Sequence, residues 1–268
     1  MLRCGITGFK GNLGKTFLKI NKNFHYIKFK GDISKKRDIN FWLKNNHFDL
    51  IIHFAAVVPT YLVNKNYKKA VEVNFKGTKY LIDEIIKQKK NIKWFFFSST
   101  SHVYKMKRNK INEQSPTVPS SKYGKTKLLA ENYIVKKLKK SKIKYCIGRI
   151  FSIYDNNEKN FLIPSLFKKI NQKEKILTFD NLNHYRDFLT TVQISKIIIF
   201  LWKKKYEGII NIGSAIKTNI KSIAKKFAVK LNKKIIFHKN KPTYLIADNS
   251  KLKRIGYKQK NLKLKRFF

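Results

Sequence analysis

Short apolar segments alternate with segments of helical length through the first 150 residues, and this alternation restricts the fold more than any other feature. The apolar segments lie at residues 2–7, 25–29, 49–54, 93–98 and 144–151. Between them, apolar residues recur with a helical period at residues 11–20, 74–87 and 123–138. The strands are almost continuously apolar, which is typical of parallel strands covered by helices on both faces. The sequence therefore predicts an α/β fold with a doubly wound parallel sheet.

A glycine-rich turn follows the first apolar segment. Glycine allows the backbone to turn tightly and to approach a pyrophosphate, whose charge is then stabilised by the positive end of the following helix. Because the turn joins the first strand of a parallel sheet to a helix, it has the context of a dinucleotide site in a Rossmann-type fold. An ordinary tight turn is the alternative explanation. The candidate cofactor-binding residues in this turn are Thr7, Gly8, Phe9, Gly11, Asn12, Leu13 and Gly14.

The adenosine end of such a site is less well defined by the sequence. Asp32 lies 18 residues beyond Gly14, near the spacing expected for the carboxylate that binds the ribose. Asp32 and Ile33 can equally end the second strand and contact the adenine, and a solvent-exposed turn aspartate is a third explanation. Lys28 and Lys30 favour a 2′-phosphate, but lysine is too frequent in this chain to decide. NAD and NADP therefore both remain candidate cofactors.

The pattern is looser beyond about residue 151. We expect a helix from Pro164, a strand at residues 186–191, a helix at 193–204, a strand at 209–212 and a helix at 219–231. These elements predict a smaller C-terminal α/β lobe that binds the substrate. The expected division is a dinucleotide-binding domain at residues 1–155 and a substrate lobe at residues 156–268, with an interleaved boundary.

A tyrosine and a lysine suggest the chemistry. Tyr123 and Lys127 are four residues apart and therefore lie on one face of a helix. An unperturbed tyrosine has a pKa of about 10, and both a nearby ammonium and an oxidised nicotinamide lower that pKa. The spacing alone is common in a lysine-rich chain, but the hydroxyls at residues 98–100 end the preceding strand, on the edge where such sheets bind ligands. This order of residues predicts a proton-transfer site formed by Tyr123, Lys127 and a hydroxyl from residues 98–100.

The chain is strongly basic, with Lys+Arg 61 against Asp+Glu 15 and a formal net charge of +46 over 268 residues. Such a charge can indicate a nucleic-acid or anionic-membrane partner. The lysines are nevertheless spread over the whole chain, together with many Asn, Ile and Phe residues, as an AT-rich coding sequence would produce. We therefore favour compositional bias, and nucleic acid is not expected as a partner. The hydrophobic content of 43% excludes a disordered chain.

Three further features bear on location and metal content. An apolar strand that begins at Leu2 leaves no room for a signal peptide before it. The longest apolar run, at residues 194–202, has about half the length of a membrane span. Cys4 and Cys146 have neither the number of a disulfide framework nor the spacing of a metal site. We expect a cytoplasmic protein without a membrane span and without a bound metal.

Taken together, these motifs resemble the extended short-chain dehydrogenase/reductase family, which includes sugar-nucleotide epimerases, dehydratases and 4-keto reductases. The resemblance covers nearly the whole chain and depends on motifs that follow one another in order. The motifs are TGxxGxxG at residues 7–14, HxAA at 53–56, NxxGT at 74–78, SST at 98–100, YGKTK at 123–127, Arg149, NFLIP at 160–164, RDF at 186–188 and NIG at 211–213.

The resemblance implies a role for each matching residue. Thr100, Tyr123 and Lys127 are the implied catalytic triad. The implied cofactor contacts outside the glycine turn are Asp32, Ile33, Phe54, Ala55, Ala56, Asn74, Ser98, Tyr123, Lys127 and Ile150. The implied substrate contacts are Thr100, Ser152, Asn160, Phe161 and Arg186, of which the arginine binds the diphosphate. Simpler explanations are that His53 only ends a strand beside the cofactor, that Asn74 caps a helix and that Arg186 is a surface cation.

Several departures from the family pattern restrict the reaction. The 4,6-dehydratases carry Asp-Glu directly after the threonine, whereas this chain has Ser101-His102, so elimination of water from the sugar is not expected. Lys105 replaces the glycine of the VYG segment, and Ser152 replaces an asparagine that often contacts the sugar. Gln193 stands where an aspartate commonly follows RDF.

The sequence therefore predicts an NAD(P)-dependent oxidoreductase that transfers hydride to or from a ring carbon, C4, of a nucleoside-diphosphate sugar. An NAD-dependent nucleotide-sugar epimerase is the alternative that uses the same residues. A more remote alternative is a non-catalytic dinucleotide-fold protein that binds nucleic acid through its lysines. We expect a homodimer, because relatives commonly dimerise through the helix that carries the tyrosine and the lysine.

Overall fold

A computed structural model describes residues 1–58, 60–155, 161–238 and 240–259. In chain order, its strands are β1 (Leu2–Thr7), β2 (Phe24–Lys28), β3 (Leu50–His53), β4 (Trp94–Thr100), β5 (Lys144–Ile150), β6 (Ser152–Tyr154), β7 (Ile176–Phe179), β8 (His184–Arg186), β9 (Phe188–Thr190), β10 (Gly208–Ile212), β11 (Thr218–Asn219), β12 (Lys234–Phe237) and β13 (Thr243–Leu245). Its helices are α1 (Asn12–Ile20), α2 (Lys36–Lys44), α3 (Thr60–Lys65), α4 (Tyr67–Val71), α5 (Thr78–Lys87), α6 (Lys122–Leu138), α7 (Leu162–Ile170), α8 (Thr191–Lys203), α9 (Ile220–Lys230) and α10 (Ser250–Arg254).

The apolar segments of the first half, together with β10 from the second half, form one sheet with the strand order β10-β5-β4-β3-β1-β2. The pairs formed by β1 to β5 are all parallel. After β2 the chain crosses β1 and adds its next strands on the other side, so β1 and β3 flank the point at which the order reverses. In such sheets ligands bind beyond the carboxyl ends of the strands at this point. The predicted doubly wound sheet of the Rossmann type is confirmed.

The strands are buried on both faces, which explains their continuous apolar sequence. The four residues of β4 from Trp94 to Phe97 are all fully buried. Phe95 and Phe97 belong to a core cluster with apolar residues of α2, α5 and α6. Helices α1 and α8 contact each other, and the hydroxyl of Thr16 donates to that of Thr191 at 3.1 Å.

One helix of the first half is longer and less regular than predicted. From Tyr67 to Lys87 the chain is helical without a break, with a π-helical turn at Glu72–Gly77 between α4 and α5. Asn74 lies inside that turn, so the alternative that it caps a helix is wrong. A π-helical turn places one extra residue in the helix, and such turns are frequent at functional sites.

The described residues divide into two compact units. The first unit comprises Met1–Lys105, Ser115–Ile150 and Thr191–Ile210, and the second comprises Met106–Gln114, Phe151–Thr190 and Asn211–Phe268. The sequence predicted an interleaved boundary near residue 155, and in the structure the chain re-enters the first unit to form α8 and the first three residues of β10. The physical reason is that β10 is the strand that pairs beside β5 at the edge of the sheet.

The second unit consists of small sheets and the helices α7, α9 and α10. Strand β8 pairs with β11 and β13, β7 with β12, and β6 with β9. Its core contains apolar residues of α7 and α9, which contact each other. The strand predicted at residues 186–191 is two strands, because Asp187 is buried between them and accepts hydrogen bonds from Ser214, Ala215 and Ala247. Among the described residues, no helix is both long and apolar enough to cross a membrane.

Candidate active site

The carboxyl ends of β1 and β3 meet at the glycine-rich turn. The backbone N–H groups of Phe54 and Ala55 donate to the carbonyl and the side chain of Thr7, respectively. Gly8 has a positive φ of 68°, and a Cβ atom there would lie 2.5 Å from the backbone nitrogen of Ala55. A Cβ atom on Gly14 would collide with the carbonyl of Gly8 and lie 2.7 Å from the Cα atom of Phe9. These two glycines are therefore required by close backbone approach.

The amino terminus of α1 is suited to an anion. The helix has no acidic residue in its first turn and no side-chain cap, so its first N–H groups point into the turn without a side-chain acceptor. The Nδ2 atom of Asn12 is buried and has no hydrogen-bond partner among the described residues. A buried donor without a partner is costly, and a pyrophosphate oxygen is an acceptor of the right kind. These features fit a dinucleotide, whose pyrophosphate the turn at residues 8–14 would hold.

The adenosine candidates lie in the turn after β2. The Oδ1 atom of Asp32 accepts hydrogen bonds from the backbone and the hydroxyl of Ser34, at 2.9 and 2.7 Å, and these bonds lower the pKa of the carboxyl. The side chain of Ile33 is part of the core. The last residue of β2 is Lys28, and its Nζ atom lies 5.8 Å from the ring centroid of Phe9 in the glycine-rich turn.

The buried side chain of His53, the last residue of β3, connects β1 to α5. His53 Nδ1 bonds with the hydroxyl of Thr7 at 2.6 Å, and Nε2 bonds with the hydroxyl of Thr78 at 2.9 Å. Because the Thr78 hydroxyl itself donates to Asn74, it accepts from Nε2, and Nδ1 is then the acceptor. This pattern requires the neutral imidazole. Burial and the positive charge of Lys127 lower the pKa of His53 to about 3, so this residue is no base at neutral pH.

Asn74 holds the loop after β3 with its whole amide group. Its Oδ1 accepts from the N–H of Val57 at 2.7 Å, and its Nδ2 donates to the carbonyl of Val57 and to the hydroxyl of Thr126. The Thr126 hydroxyl donates in turn to the carbonyl of Tyr123. The asparagine therefore connects the π-helical turn to the first turn of α6.

The predicted triad is assembled in the first unit. Thr100 is the last residue of β4, and its hydroxyl is close enough to Tyr123 to oppose the rise that burial causes in the pKa of the phenol. The ring of Tyr123 packs with Val63, Ala70 and neighbouring apolar groups and is 8% exposed. One turn further along α6, the Nζ atom of the buried Lys127 lies 4.0 Å from the ring centroid of Phe97. The helix begins with a Ser121 cap, whose hydroxyl accepts from the N–H of Gly124.

The electrostatics of this triad differ from the prediction. Burial raises the pKa of Tyr123 above its ordinary value, and the hydrogen bond from Thr100 opposes this rise. Burial also lowers the pKa of Lys127 to about 7, against the opposing charge of Glu131. The expected lowering of the tyrosine pKa by the lysine is therefore not what the protein's own groups produce, because desolvation penalises both charged forms.

No sequence motif indicated Glu131, which lies one helical turn beyond Lys127 and is 1% exposed. Its carboxylate accepts from Arg149 Nη2 at 2.7 Å, from Nε of the same residue and from the hydroxyl of Ser99. The Arg149 guanidinium lies 4.6 Å from the ring centroid of Tyr104. The available sequence signal was a carboxylate on the face of α6 that carries Tyr123 and Lys127. His102 also lies beside the tyrosine, with ring centroids 6.1 Å apart.

Of the predicted substrate residues, Ser152, Phe161 and Arg186 belong to the second unit and Thr100 to the first. Asn160 lies outside the described residues. Phe161 precedes α7, and the N–H of Ser152 donates to the carbonyl of Asp187. Arg186 is 9% exposed and is hydrogen-bonded to the carbonyl of Tyr185 and to Thr243, without a carboxylate partner among the described residues. Burial lowers its pKa to about 10, and the alternative of a surface cation is therefore wrong.

The remaining cofactor candidates are Leu13, Ala56, Ser98 and Ile150. Ile150 ends β5 and is buried, whereas the other three are partly exposed. All four lie in the first unit, Leu13 within α1 and the rest at or just beyond the carboxyl ends of β3, β4 and β5. No contact in the structure assigns them to a ligand, and their cofactor role stays a prediction.

The two glycines of the turn provide a first test. We expect Gly14→Ala to lower the free energy of unfolding by about 1–3 kcal/mol, because its Cβ atom meets backbone atoms that cannot move aside. Gly11→Ala is the matched comparison, since its Cβ atom would lie 3.3 Å from the carbonyl oxygen of Gly8, a tight contact that a small shift relieves. Its loss of unfolding free energy should be smaller than that of Gly14→Ala. Urea unfolding measures both variants, and equal losses would contradict the close approach at Gly14.

The neutral state of His53 predicts a pH dependence of stability. Between about pH 6.5 and pH 3 the unfolded chain binds a proton that the folded protein does not. The unfolding free energy should therefore fall by about 1.4 kcal/mol for each pH unit of acidification in this window. His53→Asn removes the titration while leaving an acceptor for Thr7. The difference between wild type and variant, measured by urea unfolding at several pH values, isolates this slope, and parallel curves would show that His53 titrates normally.

Comparisons with known proteins agree with this geometry. Residues 7–213 match the sequence profile described as the NAD dependent epimerase/dehydratase family. The dTDP-D-glucose 4,6-dehydratase of Homo sapiens is 24% identical over 218 residues, which cover 79% of this chain and 61% of that protein. The UDP-glucose 4-epimerase of Mycoplasma genitalium is 27% identical over 281 residues, covering 89% of this chain and 81% of the relative. The chain thus spans about 60% of the length of the first of these relatives.

Solved structures show the same fold. The structure of RMD from Pseudomonas aeruginosa complexed with NADPH has a TM-score of 0.84 and 17% identity, and the match covers 95% of this chain and 92% of that one. The profile extends from the glycine-rich turn through the triad to the strand at residues 211–213, so it includes most of the residues on which the resemblance depended. The chain therefore belongs to the NAD-dependent epimerase/dehydratase family, as its motifs indicated, and its cofactor class is the nicotinamide dinucleotides.

Proposed function

We propose that the protein is an NAD(P)-dependent oxidoreductase that transfers hydride to or from C4 of the sugar in a nucleoside-diphosphate sugar. The observation that carries the proposal is the placement of the buried Tyr123 at the carboxyl end of β4, next to the Thr100 hydroxyl, which opposes the rise of the phenol pKa on burial, with the buried Lys127 one helical turn further along α6. A phenol in this position can exchange a proton with an oxygen on the neighbouring carbon. The family membership supplies the substrate class.

Each residue of the triad then has a defined task. A bound nicotinamide supplies or accepts the hydride. In the reductive direction Tyr123 donates its proton to the sugar carbonyl oxygen, which becomes the hydroxyl oxygen, and Thr100 holds that oxygen through its own hydroxyl. Lys127 holds the nicotinamide ribose and, when protonated, stabilises the phenolate that remains. Burial keeps Tyr123 protonated at neutral pH, and this favours the role of proton donor to a ketone.

An epimerase is the second candidate. Tyr123 would take the proton of the C4 hydroxyl while a bound NAD would accept the C4 hydride. After the keto sugar rotates, the hydride would return to the opposite face of C4 and the proton to the C4 oxygen. The similarity to a UDP-glucose 4-epimerase over 89% of the chain favours this alternative. The two reactions differ in cofactor balance, because an epimerase regenerates its NAD in each turnover. A steady change of nicotinamide absorbance during turnover supports the reductase and excludes the epimerase.

We assign substrate binding to Ser152, Asn160, Phe161 and Arg186. A guanidinium buried without a carboxylate partner is costly unless an anion binds to it, and its forked N–H groups match a diphosphate. The homodimer expected from the sequence also remains a proposal. Leu129, which is 44% exposed on α6, is an apolar side chain that such an interface would cover.

Tyr123→Phe tests the proton-transfer role. We expect the turnover of nucleoside-diphosphate hexoses to fall by about 100-fold or more, because the variant has no proton to exchange. NADPH affinity, measured by nicotinamide fluorescence, should change little. Tyr133→Phe is the matched control on the same helix: its hydroxyl bonds with Asp83, and turnover should be retained. A Tyr123→Phe enzyme with wild-type turnover would refute the mechanism.

Lys28 leads us to propose NADP as the preferred cofactor. This residue ends β2, near the glycine-rich turn, while the carboxylate of Asp32 is engaged by Ser34. An ammonium at this position attracts the 2′-phosphate of NADP. Lys28→Asp should weaken NADPH binding about tenfold or more and leave NADH binding unweakened. Lys22→Asp, at an exposed position just before β2, is the control with the same charge change. Equal effects of both variants, or a wild-type preference for NADH, would contradict the proposal.

A further inference from the structure

We propose that a groove at the amino-terminal edge of the six-stranded sheet binds a nucleoside triphosphate. The groove, called the basic groove below, has a volume of about 610 Å³ and belongs to the first unit. Its walls are the turn before β4, the turn before β5 and the end of α8 with the turn that follows. Such a volume lies in the range of pockets that hold small ligands rather than a polymer.

The rim of the basic groove is positively charged. Six of the thirteen lining residues are lysines, and none of the described lining residues is acidic. The lysines are Lys89, Lys90, Lys93, Lys142, Lys144 and Lys205. Lys93 is 3.4 Å from Asp49, but no carboxylate among the described residues forms an ion pair with the other five. Lysine is more frequent among the lining residues of the groove than in the whole chain, where Lys and Arg together are 61 of 268 residues.

Helix termini account for only part of this charge. The helices α5, α6 and α8 end beside the groove, and each carboxyl terminus carries about half a negative charge. Lysines near helix ends commonly offset that charge. The three termini together carry about one and a half negative charges. The positive charge on the five lysines without a carboxylate partner is more than three times as large. The groove therefore keeps a net positive potential, which favours an anion of several charges over a singly charged one.

The floor of the groove is apolar and aromatic. It is formed by Ile85, Ile92, Ile143 and the half-buried Trp202. The indole of Trp202 lies against that of Trp94, with centroids 5.7 Å apart, so the ring is held in place. An inorganic polyphosphate has no apolar part and would leave this apolar floor exposed to water. A nucleotide covers the floor with its base and places its phosphates among the lysines, which is the arrangement that aromatic platforms with basic rims provide.

The basic groove is separate from the dinucleotide site. Trp94 begins β4 and Thr100 ends it, and a strand of seven residues is about 20 Å long. A charge at one end is screened from the other, because the Debye length is about 8 Å at physiological ionic strength. The proposal therefore does not depend on the proposed enzymatic function, and either can fail alone.

The test measures ATP binding by calorimetry on the full chain with NADPH saturating, so that the dinucleotide site is filled. The double variant Lys142→Glu/Lys144→Glu should weaken ATP binding about tenfold or more. The matched control is Lys122→Glu/Lys125→Glu, which makes the same charge change at two exposed positions in the first turn of α6, the opposite end of that helix from the groove. Its affinity should stay within about threefold of wild type. Photo-crosslinking of an azido-ATP to Trp202 or its neighbours locates the site.

Each other outcome overturns the proposal. Equal losses in the two double variants would show that ATP responds only to the charge of the whole chain. Inorganic triphosphate that binds as tightly as ATP would remove the role of the base and of Trp202. A single-stranded oligonucleotide that displaces ATP and binds more tightly would make the groove a nucleic-acid surface. Circular dichroism of each variant confirms that it is folded.

Discussion

The position of α6 against the sheet depends on a buried ion pair, and the proposed proton-transfer residues depend on α6. Glu131 on this helix accepts from Arg149 on β5 and from Ser99 on β4, so one carboxylate fastens the helix to two neighbouring strands. Removing one partner of such a pair leaves an uncompensated buried charge, which costs about 3–5 kcal/mol. Together with the apolar packing of α6, the ion pair restricts where this helix lies against β4 and β5.

A second set of polar contacts fixes the opposite side of the site. The neutral His53 connects β1, through Thr7, to α5, through Thr78, and Asn74 connects the loop after β3 to α6. Each of these side chains has its hydrogen-bonding groups satisfied in a dry environment, where an unsatisfied group is costly. The two sets together hold the carboxyl ends of β1, β3, β4 and β5 in one arrangement around the glycine-rich turn. A mechanism that moves a hydride and a proton requires such fixed geometry.

The charge of +46 has different consequences in different places. Most lysines are exposed, and at the ends of helices they offset the helix dipole. The buried cations Lys127 and Arg149 each contact an aromatic ring. The Lys127 ammonium lies over the ring of Phe97, and the Arg149 guanidinium lies over the ring of Tyr104. In the basic groove, several lysines surround an apolar surface. The proposed ligand is inferred from this local arrangement and not from the net charge of the chain.

The doubly wound sheet, the glycine-rich turn and the order of the triad residues can all be predicted from the chain, because each follows from local periodicity or from a short motif. Strands β1 and β5 were predicted almost to the residue, since their apolar runs are bounded by polar turns. Three features follow only from the three-dimensional arrangement. They are the return of α8 and the start of β10 to the first unit, the ion pair of Glu131 with Arg149, and the direction in which the Tyr123 pKa is shifted. The physical reason is that strand order, the pairing of distant charges and desolvation depend on which surfaces come together in space, and periodicity along the chain carries no information about that.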